Sequence, residues 1–156
     1  MNVETATEIV DRLELEPHPE GGWYREVHRS AEQVQTARGP RSALTTIYYL
    51  LERGQLSRWH AVASDEIWHF YSGAPLELLV YEPASKKLQR SPLDSVNPVG
   101  VVPANAWQAA RSLGDYSFVG CNVGPGFEFE DFRFVAALPE HGAHFTGELA
   151  QYATWI

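Results

Sequence analysis

From Trp23 onward, apolar side chains recur at every second position in short runs, and each run ends at a turn signal. That period places successive side chains on opposite faces of an extended chain, so each run reads as a strand. The runs are Trp23 to Arg29, Ala43 to Leu51, Ser57 to Val62, Asp65 to Ser72, Leu76 to Tyr81, Leu88 to Ser91, Val99 to Val102, Trp107 to Arg111, Tyr116 to Asn122 and Phe127 to Val135. Between them lie Gly39-Pro40, Arg53-Gly54, Gly73-Ala74-Pro75, Gly114-Asp115 and Gly124-Pro125-Gly126, residues that supply turn chemistry. Strands this short and this numerous predict an all-β chain folded as a two-sheet barrel.

The two ends of the chain break the pattern. Ala6, Ile9, Val10 and Leu13 follow helical spacing, with Thr5 as N-cap and Glu8 as its capping-box partner, which predicts one short N-terminal helix. Beyond Leu138 the periodicity is lost, yet Phe145, Leu149, Tyr152 and Trp155 remain. A segment with so many large apolar groups is expected to wrap the barrel or a partner subunit. The 156 residues suit a single domain, with its core over about residues 8–135 and the wrapping tail over 138–156.

Charge narrows the partners. Twelve Lys and Arg against twenty Asp and Glu give a net charge of -8, so nucleic acid and anionic membrane surfaces are not expected partners. Cys121 is the only cysteine, which excludes an intrachain disulfide and an all-cysteine zinc site. The first residues carry acids where a secretory signal carries bases, and no run approaches a membrane span, so a cytoplasmic protein is expected.

The candidate chemistry lies between Gly54 and Gly73, where His60 and Glu66 sit on consecutive predicted strands. Strand parity places Arg58 and Val62 on the face of His60, and Trp68 and Phe70 on the face of Glu66. Ile67, His69 and Tyr71 then share the opposite face, too apolar for water, which predicts burial against another sheet or in a homodimer. His69, three residues from Glu66, falls outside the site by the same parity. His18, His28, His141 and His144 lie in turns or near the ends and read as exposed or locally satisfied. In Phe127 to Phe134 the apolar face switches at Glu130-Asp131, as a β-bulge or a strand changing sheets would cause; both acids are minor candidates for that reason.

The series Gly54, His60, Glu66, Gly73 resembles the first motif of the cupin superfamily, whose second motif aligns with Pro103, Asn105, Gln108 and Ser112, only the proline being kept. The phrases His18-Pro19-Glu20-Gly21-Gly22, Ser64-Asp65-Glu66-Ile67-Trp68-His69-Phe70-Tyr71-Ser72-Gly73 and Pro125-Gly126-Phe127-Glu128-Phe129-Glu130-Asp131-Phe132 are similar to those of one branch, the DUF985 or cupin-5 family. The resemblance implies a double-stranded antiparallel jelly-roll, usually dimeric. Metal cupins ligate through two histidines and a glutamate of the first motif and a histidine of the second, and here those places hold His60, Val62, Glu66 and Gln108. An aliphatic group and a neutral amide replace two donors, so no metal cofactor is expected.

The leading expectation is a metal-poor barrel cavity that binds a small polar molecule, sugar-like or heterocyclic. Arg58, His60, Glu66 and Gln108 would supply polar groups, and Trp68 and Phe70 a flat wall. A second reading is a metal-free epimerase or isomerase, with His60 as base, Glu66 or Gln108 holding its tautomer, and Tyr48 or Tyr116 delivering the proton. A metal-dependent enzyme and a non-catalytic structural cupin complete the alternatives. The residue types alone leave open whether the chain is an enzyme.

Overall fold

The computed structural model describes residues 4–156. Helix α1 (Ala6–Leu13) starts where the capping box places it: the Thr5 hydroxyl accepts from the Glu8 amide, and the Glu8 carboxylate accepts from the Thr5 amide at 2.7 Å. Its buried Ile9 packs with Leu50, Tyr116 and Phe118.

Thirteen strands follow: β1 (Glu16–Pro17), β2 (Trp23–Arg29), β3 (Gln33–Thr36), β4 (Gly39–Ser42), β5 (Thr45–Glu52), β6 (Leu56–Val62), β7 (Asp65–Gly73), β8 (Leu76–Glu82), β9 (Lys87–Leu93), β10 (Val99–Val102), β11 (Trp107–Ser112), β12 (Tyr116–Gly124) and β13 (Phe132–Phe134). They form a six-stranded sheet in the order β1-β2-β5-β12-β7-β10 and a five-stranded sheet in the order β13-β6-β11-β8-β9, with β3 and β4 as a separate hairpin. All pairings are antiparallel, and the two large sheets make the jelly-roll expected from the sequence.

The segment from Phe127 to Val135 is not one strand. Its chain turns through a 3₁₀ helix at Phe129–Asp131 before the short β13, and that turn, rather than a bulge, resets the alternation, so that Phe132 comes to lie beside Phe127 and Phe129. Asp131 fixes the turn, because its carboxylate is bound by the Arg41 guanidinium at 2.8 Å and its carbonyl accepts from the Ala63 amide.

The interior between the sheets divides into two halves. Under β8, β9 and β10, side chains including Leu76, Leu78, Val80, Leu93 and Val102 pack without exposure around Trp68. Between β2, β5 and β12 on one side and β6 and β13 on the other, the interior stays open as a cavity of about 680 Å³. The outer face of the five-stranded sheet is closed by the C-terminal segment, α2 (His141–His144) and a 3₁₀ helix (Gly147–Trp155). Leu149, Tyr152 and Trp155 bury themselves there against Trp59, Leu79 and Trp107, and the Trp59 indole donates to the Tyr152 carbonyl at 3.0 Å. No described helix is long and apolar enough to cross a membrane.

Candidate functional site

A turn builds the floor of the cavity. In His18-Pro19-Glu20-Gly21-Gly22, the Gly21 amide donates to the His18 carbonyl and the His18 amide to the Gly22 carbonyl, at 3.0 and 2.9 Å. Gly21 (φ +116°) lies so close to β6 that a Cβ would stand 1.9 Å from the Leu56 carbonyl oxygen, so only glycine permits this approach. The contact drives the Glu20 side chain between the sheets. There the Ser57 hydroxyl donates to Glu20 Oε1 at 2.8 Å, and Glu20 Oε2 lies 3.1 Å from His60 Nε2.

The hydrogen-bond directions fix protonation. His60 Nδ1 lies 2.8 Å from the Arg58 carbonyl, which only accepts, so Nδ1 carries a proton. The bond between Nε2 and Glu20 therefore holds one proton between them. Burial pushes the Glu20 carboxyl above its ordinary range and the His60 imidazole below its own. Both directions favour the uncharged pair, with Glu20 donating to Nε2 of a neutral imidazole rather than forming an ion pair. At His18 the Glu20 amide donates to Nδ1 at 3.2 Å, so a neutral ring carries its proton on Nε2, and burial pushes this imidazole down as well.

Glu66 is held from the opposite sheet. The Trp68 indole donates to Gln108 Oε1 at 2.9 Å, which turns the amide so that Nε2 donates to Glu66 Oε2 at 2.6 Å. Desolvation raises the Glu66 carboxyl above its usual range, against the smaller opposing effects of the hydrogen bonds from Gln108 and from the weakly donating Cys121 thiol. Its Oε1 has no N–H or O–H donor, and the His18 Nε2–H has no acceptor, among the described residues. Tyr24, Phe127, Phe129 and Phe132 wall the cavity, and Phe132 stacks on the His60 ring at 5.1 Å and 18°.

Of the residues singled out by sequence, His60 and Glu66 line the cavity, as does Val62. Gln108 stands behind Glu66 and orients it. Trp68 and Phe70 do point inward, but into the packed half.

Arg58 leaves the site because β6 bulges. Gln108 pairs with His60 while Ala110 pairs with Ser57, so two β6 residues oppose Ala109 alone and the parity resets. Ser57 takes the inward place, and Arg58 lies over the Phe134 ring and donates to the Pro19 carbonyl.

Tyr48 and Tyr116 are also remote from the cavity. Tyr48 packs on Tyr71 and Phe118 on the outer face, and Tyr116 donates to the Glu4 carbonyl. Tyr49 lines the cavity instead and donates to the Gly21 carbonyl at 2.6 Å. Glu130 and Asp131 bind Arg41 beside a separate cavity.

His69 keeps to the outer face, where it pairs with Asn122, in keeping with its parity. His18 departs from the expectation for a turn histidine, its side chain being only 6% exposed and part of the cavity floor. The sequence signal for His18 and Glu20 was the adjacent Gly21-Gly22, both at positive φ. Among the described residues, no three His, Cys, Asp or Glu side chains are grouped to hold a metal ion.

Residues 7–135 match the family model Cupin_5, described as Cupin superfamily (DUF985). The chain belongs to that family. A hypothetical protein from Leishmania major shares 33% identity and a TM-score of 0.83, over 96% of this chain and 99% of that one. A Shewanella oneidensis protein shares 31% identity and a TM-score of 0.78, over 96% and 98%. Oxalate decarboxylase from Bacillus subtilis is similar in fold alone, at 19% identity and a TM-score of 0.58 over 87% of this chain and 35% of that one. No curated protein matches.

Proposed function

We propose that this cupin binds a small, polar, ring-bearing molecule in the cavity between His18 and Glu66. The observation that carries this reading is the pair of polar atoms without N–H, O–H or acceptor partners, His18 Nε2–H and Glu66 Oε1, both on side chains that are otherwise buried. Both atoms reach the cavity space, where a ligand or water serves as their partner. The aromatic walls supply a flat apolar surface, and the volume suits a molecule of one or two rings. A thermal-shift screen over sugars, nucleobases, amines and keto acids tests the proposal. A stabilising hit should lose its effect in His18→Ala and Glu66→Ala. A hit unaffected by both places the ligand elsewhere.

This reading has the cavity working without a resident metal. Both His60 nitrogens are engaged, Val62 offers no donor atom, and the Gln108 amide is committed to Trp68 and Glu66. Those four side chains, at the positions of the cupin metal ligands, do not fit a metal ion. Elemental analysis of protein purified without a metal-affinity tag should give well under one metal per chain.

The pair of Glu20 and His60 supports acid–base chemistry as a second reading, since its shared proton lies on the cavity floor. Solvent hydrogen exchange into a bound hit, lost in Glu20→Gln, separates a catalyst from a passive binder. We place a homodimer contact on the outer face of the six-stranded sheet, where Tyr71, Val99 and Val101 are exposed.

A further inference from the structure

We infer that the ligand is a small cation, a molecule with a basic nitrogen that meets Glu66 and a hydrogen-bond acceptor that meets His18. The inference rests on the reading of the cavity as a ligand site and adds the charge of the ligand. Its first support is the mouth. Glu14, Glu16, Glu26 and Glu128 line the entrance with only Arg25 and Arg29 among them, a formal excess of two negative charges. Both guanidiniums are already matched, Arg25 with Glu14, and Arg29 with Glu26 at 2.9 Å and Glu128 at 2.8 Å. An anionic ligand would enter past a mouth of net negative charge, with Glu16 in no ion pair among the described residues, and find no free guanidinium among the lining residues, so phosphate- and carboxylate-bearing molecules are disfavoured.

The second support is the floor. Glu66 is 7% exposed, accepts from Gln108 through one oxygen, and presents the other to the cavity with no N–H or O–H donor among the described residues. Arginine and lysine are absent from the cavity floor, so no fixed positive charge balances a negative Glu66 there. A cation bound at Oε1 would supply that missing counter-charge, whereas a neutral ligand would leave the carboxyl as it is. The walls act in the same sense, because the faces of Tyr24, Phe127, Phe129 and Phe132 attract cations as well as rings. His18 Nε2–H, a donor, requires an acceptor elsewhere on the same molecule.

Calorimetric titration of the intact protein with 4-hydroxybenzylamine, 4-hydroxybenzyl alcohol and 4-hydroxybenzoate varies the charge on one ring. The amine is expected to bind at least tenfold more tightly than the alcohol, and the benzoate not to bind. Glu66→Gln should remove the preference for the amine. Glu16→Lys, a substitution at the exposed mouth that spares the core, should weaken the amine a few-fold and leave the alcohol unchanged, which keeps the test valid if Glu66→Gln fails to fold. Equal or tighter binding of the alcohol or the benzoate overturns the inference while leaving the cavity a ligand site. If none of the three binds and no compound of the thermal-shift screen is lost in His18→Ala and Glu66→Ala, both readings fall together.

Discussion

The same two sheets enclose a solid core at one side and an open cavity at the other, and the difference lies in what the inward positions carry. Under β8 and β9, alternate inward residues are Leu76, Leu78, Val80 and Leu93, which interdigitate and exclude water. Between β5 and β6 the inward residues include Thr45, Ile47, Tyr49, Ser57 and His60, and the turn carrying His18 and Glu20 enters from the side. The polar groups of this half need partners that an apolar filling would not give, so the space stays available for a ligand or water. Gln108 marks the boundary: it accepts a hydrogen bond from Trp68 of the packed half and donates one to Glu66 of the open half.

If packing density separates the halves, truncation should separate them too. Leu78→Ala removes a fully buried side chain and is expected to cost about 3 kcal/mol in urea denaturation, whereas Val62→Ala at the cavity wall should cost about 1 kcal/mol or less. Equal losses would mean the cavity collapses in solution. Gln108→Leu tests the boundary: it strands the Trp68 indole and deprives Glu66 of its donor, for an expected loss of about 2 kcal/mol by the same measurement. Because the core contacts of Leu78 remain, the loss should stay below that of Leu78→Ala.

The uncharged state of Glu20 makes a prediction with a definite sign. Burial raises its carboxyl above the ordinary value of 4.5, so above pH 4.5 the folded chain holds a proton that the unfolded chain has lost. The stability linked to that proton is complete below pH 4.5 and is lost as pH rises through the raised value. The difference in Tm between the native chain and Glu20→Gln should therefore shrink as pH rises from 4.5. A difference that grows with pH would show that Glu20 and His60 are an ion pair instead. The smallest effect on stability is expected at the outer face, where Tyr71→Arg should leave Tm within a few degrees; on the proposed homodimer contact, sedimentation should report dimers for the native chain and monomers for this variant.

Most of the β-architecture was legible from alternation alone. β2 and β10 have the limits the pattern predicts, and seven further strands differ by one or two residues at their ends. β3 and β4 escaped because Gln33–Thr36 and Gly39–Ser42 form a largely polar hairpin with no apolar face to alternate. Tyr48 and Tyr49 could not be told apart, since Ile47, Tyr49 and Leu51 on one face of β5 are matched by Tyr48 and Leu50 on the other. Both faces are covered, one by the barrel interior and one by α1 and Phe118, so periodicity carries no sign.

By itself the sequence determined most of the apolar strands, the helix cap, the apolar tail and the inward placement of His60 and Glu66, because these follow from local periodicity within single segments. Only the tertiary structure decided which polar groups meet. Glu20 reaches His60 from a turn forty residues earlier in the chain, the bulge in β6 exchanges Arg58 for Ser57, and Gln108 serves Glu66 rather than the cavity. A one-residue shift in pairing reverses every side chain beyond it, and a turn has no period at all, so the partners of a buried charge are set by the packing of segments distant in sequence.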